Sequence, residues 1–222
     1  MDTGKVVIFG LGELAEITFY FFTHESNYEV EAFTVDKEFL IKPEFMGLPV
    51  VPFEEVEDIF PPNKYMMFIA IGYNRVNNIR KEKFYKAKNK GYKLVTYIHS
   101  SSTIAKNVEI GENCFIFEDN TIQPFVKIGD NCIIWSGNHI GHHSMIEPHC
   151  FITSHVVISG GCKIGEGTFL GVNATLRDHI SIGKQNVIGA GAIILKDTND
   201  FEVYPSYPTR VSKVPSYKLR RI

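Results

Sequence analysis

Residues 146–170 read IEPHCFITSHVVISGGCKIGEGTFL, and an aliphatic residue returns at every sixth place: Ile146, Ile152, Ile158, Ile164 and Leu170. The step continues without a slip, back through Ile140, Ile134, Ile128, Ile122, Ile116 and Ile110 to Ile104. It runs on through Leu176, Ile182 and Ile188 to Ile194. All sixteen positions are Ile or Leu, and seven are followed by glycine: Gly111, Gly129, Gly141, Gly165, Gly171, Gly183 and Gly189. A six-residue period fits neither the 3.6 of a helix nor the alternation of a flat strand. It suits short strands joined by tight turns, each with one branched aliphatic pointing inward. Three hexads close a triangular coil of 18 residues, and coils stack at the strand spacing of about 4.8 Å. The hexads from 104 to 199 make a little over five coils. The glycines suit turn places that need φ > 0 or leave no room for a Cβ.

The repeat accounts for two features of the composition. Isoleucine occurs 26 times, and fourteen of these lie on the sixteen rungs. Cys114, Cys132, Cys150 and Cys162 each lie four residues after an aliphatic rung, and the first three are 18 apart. The first three stack in one column, and all four read as small inward core side chains, the usual place of a free cysteine. The remaining arithmetic is that of an ordinary globular chain: 222 residues, 44 % hydrophobic, 22 % charged and a net charge of −2. That balance offers no field for nucleic acid or an anionic membrane. The acidic start MDTGKVVIFG and the lack of an 18-residue apolar run predict neither a signal peptide nor a membrane span, and a cytoplasmic location.

The uninterrupted hexads resemble those of the hexapeptide-repeat acyltransferases. The resemblance implies a left-handed parallel β-helix, homotrimers, and active sites in the grooves between neighbouring prisms. The left hand comes from the resemblance alone, since crossovers between parallel strands are normally right-handed.

Residues 1–99 follow another pattern, that of a small α/β unit with a parallel sheet. Lys5–Phe9 is a strand, followed by the turn Gly10-Leu11-Gly12-Glu13-Leu14-Ala15 and a helix to about Thr23. Val30–Val35 ends at Asp36, Pro49–Pro52 precedes a helix over 54–60, and Met66–Ile71 is a strong strand. Val76–Lys90 is a basic helix, read as a solvated face, and Leu94–Ile98 closes the unit. The turn satisfies G-x-G-x-x-G/A after a strand, so a phosphate could rest on the helix N-terminus at Gly10–Glu13. Ninety-nine residues are few for a whole NAD site; part of a nucleotide fits the size better.

The combination is similar to the bacterial nucleotide-sugar N-acetyltransferases and the related sialic acid O-acetyltransferases. The similarity covers nearly the whole chain, and includes Phe68-Ile69-Ala70-Ile71-Gly72 followed by Asn74 and Arg80. It implies a Rossmann-like nucleotide-sugar-binding domain at 1–99, a left-handed β-helix acyltransferase domain at 100–199 and a C-terminal tail at 200–222. It also implies that Gly10, Gly12, Asp36, Gly72, Asn74 and Arg80 bind the nucleotide part of the donor. Leu11 and Glu13 stand where the family has small polar residues.

An amino sugar must lose a proton before it attacks a thioester, and imidazole exchanges protons near neutral pH. The family's base lies in the segment that here reads Asn138-His139-Ile140-Gly141-His142-His143-Ser144. Hexad register puts the base on His142, with His143 the other possibility. His143, where the family often has an orienting Glu, leaves the orienting group open. No metal is expected, because His143 and His179 lie two coils apart, beyond the reach of one zinc ion. Gly160-Gly161, one coil from His142, are the candidates to meet the thioester oxygen of acetyl-CoA. Arg210, in Tyr204-Pro205-Ser206-Tyr207-Pro208-Thr209-Arg210, matches the family's CoA-contacting basic residue, and Lys213, Lys218, Arg220 and Arg221 follow it. The expected activity is acetyl-CoA-dependent N-acetylation of an amino group, at C4, of a nucleotide-linked amino-deoxy sugar for bacterial surface glycan synthesis. O-acetylation of a hydroxyl such as that of sialic acid, and a non-catalytic trimeric scaffold, are the alternatives.

Overall fold

A computed structural model describes residues 3–218. The N-terminal unit runs β1 (Gly4–Phe9), α1 (Glu13–His24), β2 (Tyr28–Val35), β3 (Glu44–Phe45), β4 (Leu48–Pro52), α2 (Val56–Ile59), β5 (Tyr65–Ile69) and α3 (Asn78–Asn89). Its sheet has the order β3-β4-β2-β1-β5, and every pair except β3–β4 is parallel. Val6 to Phe9 of β1 are all buried, as befits a central parallel strand covered on both faces. The β3–β4 hairpin was not legible in the hydrophobic pattern. It turns on Met46 and Gly47, at φ 53° and 79°, the pair of positive values that a two-residue hairpin favours.

From Tyr97–Ile98 to Val203–Tyr204 the chain forms eighteen two-residue strands in three parallel sheets of six, five and seven. Up to Ile194 each rung pairs with the rung 18 residues on, so Phe115 faces Ile133 and Ile133 faces Phe151, while the closing pair, Ile188 with Tyr204, is 16 apart. The stacked coils fit the left-handed β-helix that the resemblance implied. The interior is the predicted column of rungs together with Cys114, Cys132, Cys150 and Cys162. Burial pushes the thiols of Cys114 and Cys150 well up, so they remain core material. The array reaches one rung beyond the hexads at either end. Tyr97–Ile98, expected to close the α/β unit, pairs with Phe115–Ile116 as the first rung, while Leu94 alone bridges to Met67.

The glycines that follow the rungs answer to space and not to φ. A Cβ on Gly141 would lie 2.5 Å from the nitrogen of Gly160 in the next coil. The left-handed residues come two places later, one at each corner. His143, His149, His155 and His179 all stand there at φ 57–66°. Histidine, like Asn and Asp, tolerates this conformation better than most side chains.

Two cores flank the sheet, and the first holds the unit to the coils. On one face of the sheet, Phe22 of α1, Phe33 and Phe68 pack with Phe115, Ile133 and Phe151 of the helix prism. On the other, Phe84 and Ala87 of α3 cover Val7, Phe9, Met67 and Ile69. Polar bonds cross the same junction. The Ile69 N–H donates to Asn113 Oδ1 (2.8 Å), Asn113 to Asn131 (2.8 Å), and Asn131 to Nδ1 of His149 (2.8 Å).

Arg80 corrects its expected role. It is fully buried, and it is not open to a nucleotide. Its Nε donates to Asn131 O (3.3 Å), and Nη2 to His149 O (2.9 Å) and Cys150 O (3.1 Å). Nη1 donates to Gly72 O (3.1 Å), Ile71 O (3.4 Å) and Asn77 Oδ1 (3.0 Å). Burial lowers its pKa only to about 10, so it stays charged at neutral pH. The expectation of a solvated basic helix also fails at Lys83, which is buried. It holds for the outer cations, which are ion-paired at the surface: Lys81 with Glu166, Lys86 with Glu82, Lys88 with Glu112 and Lys90 with Glu57.

Removing the guanidinium strands several buried carbonyls at once. Arg80→Met is expected to lower the unfolding free energy by about 3 kcal/mol or more. Arg80→Lys should recover only part of it, because one ammonium cannot span the same acceptors. Urea unfolding of the three proteins checks both.

Candidate active site

A cavity of about 430 Å³ lies between the glycine turn and the coils, walled by Gly10, Gly12, Glu13, Gly72, Asn74 and the aromatic rings of Tyr73, Trp135 and Phe151. Gly10 is required by the fold. Its φ is 127°, a Cβ would lie 2.7 Å from Ala70 O, and its N–H donates to Thr34 O. Gly12 and Gly72 are different, for a Cβ on either would meet nothing within 4 Å. Their missing side chains leave room in the cavity that the fold itself does not use. Gly12 caps α1 without a side-chain hydrogen bond. The N–H groups of Gly12, Glu13 and Leu14 find no acceptor among the described residues, which leaves donors at the positive end of the helix dipole. The exposed Glu13 carboxylate stands at the same place.

Asp36 lies on the far side of this turn. It is paired with Lys83 Nζ at 2.7 Å, and both side chains are largely buried. The pair borders a second cavity of about 210 Å³ with Phe9, Leu11, Gly12, Phe39 and Ile71. Asn74 is exposed at the rim of the first cavity. After it, Arg75, Val76 and Asn77 take φ of 51°, 50° and 67° in succession. That conformation is costly for a β-branched Val, and it is held by Asn77, whose Nδ2 donates to Gly167 O (2.8 Å).

Sequence reasoning missed the aromatic wall. Trp135 stacks on Phe117 at 4.4 Å and 7°, and Tyr73 packs against Phe151 (5.0 Å) and Phe169 (4.9 Å). The signal was present: Phe115, Ile133, Phe151 and Phe169, each just before a rung, form an 18-residue column of large outward side chains that needs a cover.

His142 stands at a different corner, between the six- and five-stranded sheets, exposed beside His143. The two rings meet Nδ1 to Nδ1 at 3.1 Å, and the His143 ring lies on Phe125 with centroids 4.6 Å apart. The His142 imidazole covers Gly160: a Cβ there would lie 2.7 Å from Cε1 and 2.8 Å from Nε2. The Gly160 N–H has no acceptor among the described residues, and the coil explains why. At the equivalent place, the His142 N–H donates to Gln123 Oε1 (2.9 Å) and the Glu166 N–H to Glu147 Oε2 (3.0 Å). Each acceptor sits 19 residues back, and 19 before Gly160 is Gly141, which has no side chain. The Gly161 N–H, by contrast, is used within the coil, on His142 O (2.8 Å). Arg210 lies in the exposed segment beyond the last rung and makes no hydrogen bond or ion pair among the described residues. Arg220 and Arg221 lie outside the described residues. No group of three or more His, Cys, Asp or Glu among those residues is arranged to hold a metal ion.

His149 belongs to the junction and not to this corner. Burial pushes its pKa down to about 4 from 6.5, and it is held neutral between Asn131 and the Tyr85 hydroxyl. The unfolded chain therefore binds the proton more readily between those values, and stability falls as the pH drops from about 6.5 towards 4. Replacing His149 with Asn should flatten this decline, as read by urea midpoints across that pH range.

Residues 93–194 match the family of the GMPPB C-terminal domain. No protein of curated function matches the chain by sequence. Solved structures do resemble it. The acetyltransferase domain of PglB from Neisseria gonorrhoeae superposes with a TM-score of 0.82 at 23 % identity, over 93 % of this chain and 98 % of that one. PerB from Caulobacter crescentus, solved in complex with CoA and GDP-perosamine, gives 0.73 at 27 % identity over 95 % and 98 %. WeeI from Acinetobacter baumannii gives 0.75 at 18 % identity over 94 % and 99 %. The PglB domain is an acetyltransferase domain and PerB holds CoA and GDP-perosamine, and this chain shares the layout of all three over nearly its full length.

Proposed function

We propose that this hexapeptide-repeat acyltransferase moves the acetyl group of acetyl-CoA to the C4 amino group of a nucleotide-linked amino-deoxy sugar, in bacterial surface glycan synthesis. One observation carries the chemistry: an exposed imidazole lies on a glycine whose N–H is free. His142 Nε2 takes a proton from the sugar ammonium, and the freed amine attacks the thioester carbonyl. Negative charge then collects on the carbonyl oxygen, where the Gly160 N–H can donate to it. As the intermediate collapses, the C–S bond breaks, the thiolate takes the proton held by His142, and the nitrogen gives its remaining extra proton to solvent, leaving the amide, the free thiol and a neutral His142. Transfer is direct, since the cysteines are buried in the core and no activated nucleophile stands at this corner.

The nucleotide part is assigned to the cavity at the glycine turn, with residues 1–99 as a Rossmann-like domain. The N–H groups of Gly12, Glu13 and Leu14 would receive a phosphate, while Trp135 and Phe151 offer an apolar wall. Asp36, anchored by Lys83, keeps one oxygen to accept from ribose or base. PerB, solved with CoA and GDP-perosamine, supports both substrate classes. Gly160 and Gly161 line the path of CoA, and Arg210 is placed near its phosphates.

This layout requires a second copy. The N-terminal unit covers the seven-stranded sheet, whereas His142 lies at the corner opposite that sheet. One chain therefore separates its nucleotide cavity from its own base, and the groove between prisms of a homotrimer would bring the two together. The described helices include none long and apolar enough to span a membrane, in keeping with a proposed cytoplasmic location.

Thiol release from acetyl-CoA with a panel of amino- and hydroxy-sugar nucleotides tests the reaction. Turnover is expected with amino sugars, and NMR of the product should show the acetyl group on N4. Turnover with hydroxyl sugars alone would establish O-acetylation instead, and none at all a scaffold. His142→Ala should lower kcat by roughly 10²-fold or more with the trimer intact. Gly160→Ala, whose new methyl would displace the imidazole, should cost a similar factor.

A further inference from the structure

We infer that His143 is a positioning residue that sets the tautomer of His142, making the two imidazoles a proton-sharing pair. The inference rests on the assignment of His142 as base. An Nδ1–Nδ1 distance of 3.1 Å leaves room for one proton between the rings. When that proton is on His142 Nδ1, His142 Nε2 carries a lone pair and faces Gly160, ready for the substrate ammonium. His143 then accepts through Nδ1 and keeps its own proton on Nε2. When the shared proton sits on His143 instead, His142 must carry its proton on Nε2 and is no base. One further proton on the pair blocks Nε2 whichever ring takes it, and a second removes the last acceptor between the rings.

The surroundings hold His143 to this task. Its backbone is left-handed (φ 58°), and its ring packs on Phe125 at a tilt of 31°. Gln123, Phe125, Gly160 and Gly161 flank the pair on the adjacent coils. Two coils on, the same columns carry Asp178 and His179, the latter lying against Gly161. No carboxylate or ammonium bonds either ring among the described residues. The acceptor that orients the base is therefore itself titratable.

The corner tolerates the variants that test this. Phe125 and Gln185 occupy the same turn position at φ 67° and 49°, so neither an aromatic ring nor a long polar chain disturbs the coil. His143→Phe keeps the stack on Phe125 and removes the acceptor. Its kcat should fall by about 10- to 100-fold, short of the roughly 10⁴-fold cost of a base held wholly in the wrong tautomer because His142 without a partner populates both, with the KM for acetyl-CoA unchanged. His143→Glu supplies an acceptor-only partner and should restore kcat. The acid limb of kcat/KM should steepen towards second order in the wild type and remain first order in His143→Glu. Nitrogen NMR of labelled imidazoles should show Nδ1–H on His142 in wild type and a mixture in His143→Phe. If His142→Ala abolishes activity while His143→Phe keeps wild-type kcat and pH profile, the pairing is overturned and the base stands. If His142→Ala retains wild-type rates, the assignment of the base falls, and the pairing with it.

Discussion

The guanidinium of Arg80 is where two independently patterned halves become one body. A buried cation normally needs a carboxylate, and none reaches it here. Its charge is spread instead over backbone oxygens from both sides of the junction: Ile71 and Gly72 from the α/β unit, Asn131, His149 and Cys150 from the coils. Apart from Cys150 O, which also accepts from the Ile133 N–H, those oxygens are left over where elements end, after a strand on one side and at the corners of coils on the other. Breaking the junction would leave both a charge and several carbonyls in a dry interior. The junction therefore fixes the Gly72 turn relative to Trp135 and Phe151, and the cavity walls inherit their geometry from it.

The coil imposes the second constraint. Every corner repeats the same backbone, so each corner differs only in its side chains. Two corners, at His142 and Glu166, spend their spare N–H on a side chain from the preceding coil. At Gly160 the glycine at 141 removes that acceptor, and Gly160 itself removes the methyl that would push His142 aside. Two small residues thus leave a donor open beside an imidazole. The chemistry depends on what this corner lacks.

Much of the fold was legible because the hexads are a geometric statement. An inward residue every six places, without exception, allows only a stacked coil, and it sorted the cysteines into the core without further argument. The glycine turn was legible for a similar reason: strand, G-x-G and helix occur in order. Arg80 and Lys83 were misread because the segment from Arg75 to Lys90 carries seven basic residues, and their spacing does not mark which of them face inward. Burial of a cation is decided by what lies across the interface, and that lies far away in sequence. The aromatic wall was hidden likewise: Phe151 and Trp135 look like two more outward residues until the α/β unit covers one sheet of the prism.

By itself the sequence determined the period, the inward column, the burial of the thiols, the α/β start and the pair of histidines at one corner. These are local or strictly periodic properties, and each follows from residues near one another or separated by a fixed step. Only the tertiary structure decided that Arg80 clamps and does not bind, that Asp36 is held by Lys83, and that the Gly160 N–H is free. It alone put the cavity at the glycine turn and His142 on opposite sides of the prism. Each of these depends on distances between segments tens of residues apart, which pattern cannot fix and packing can.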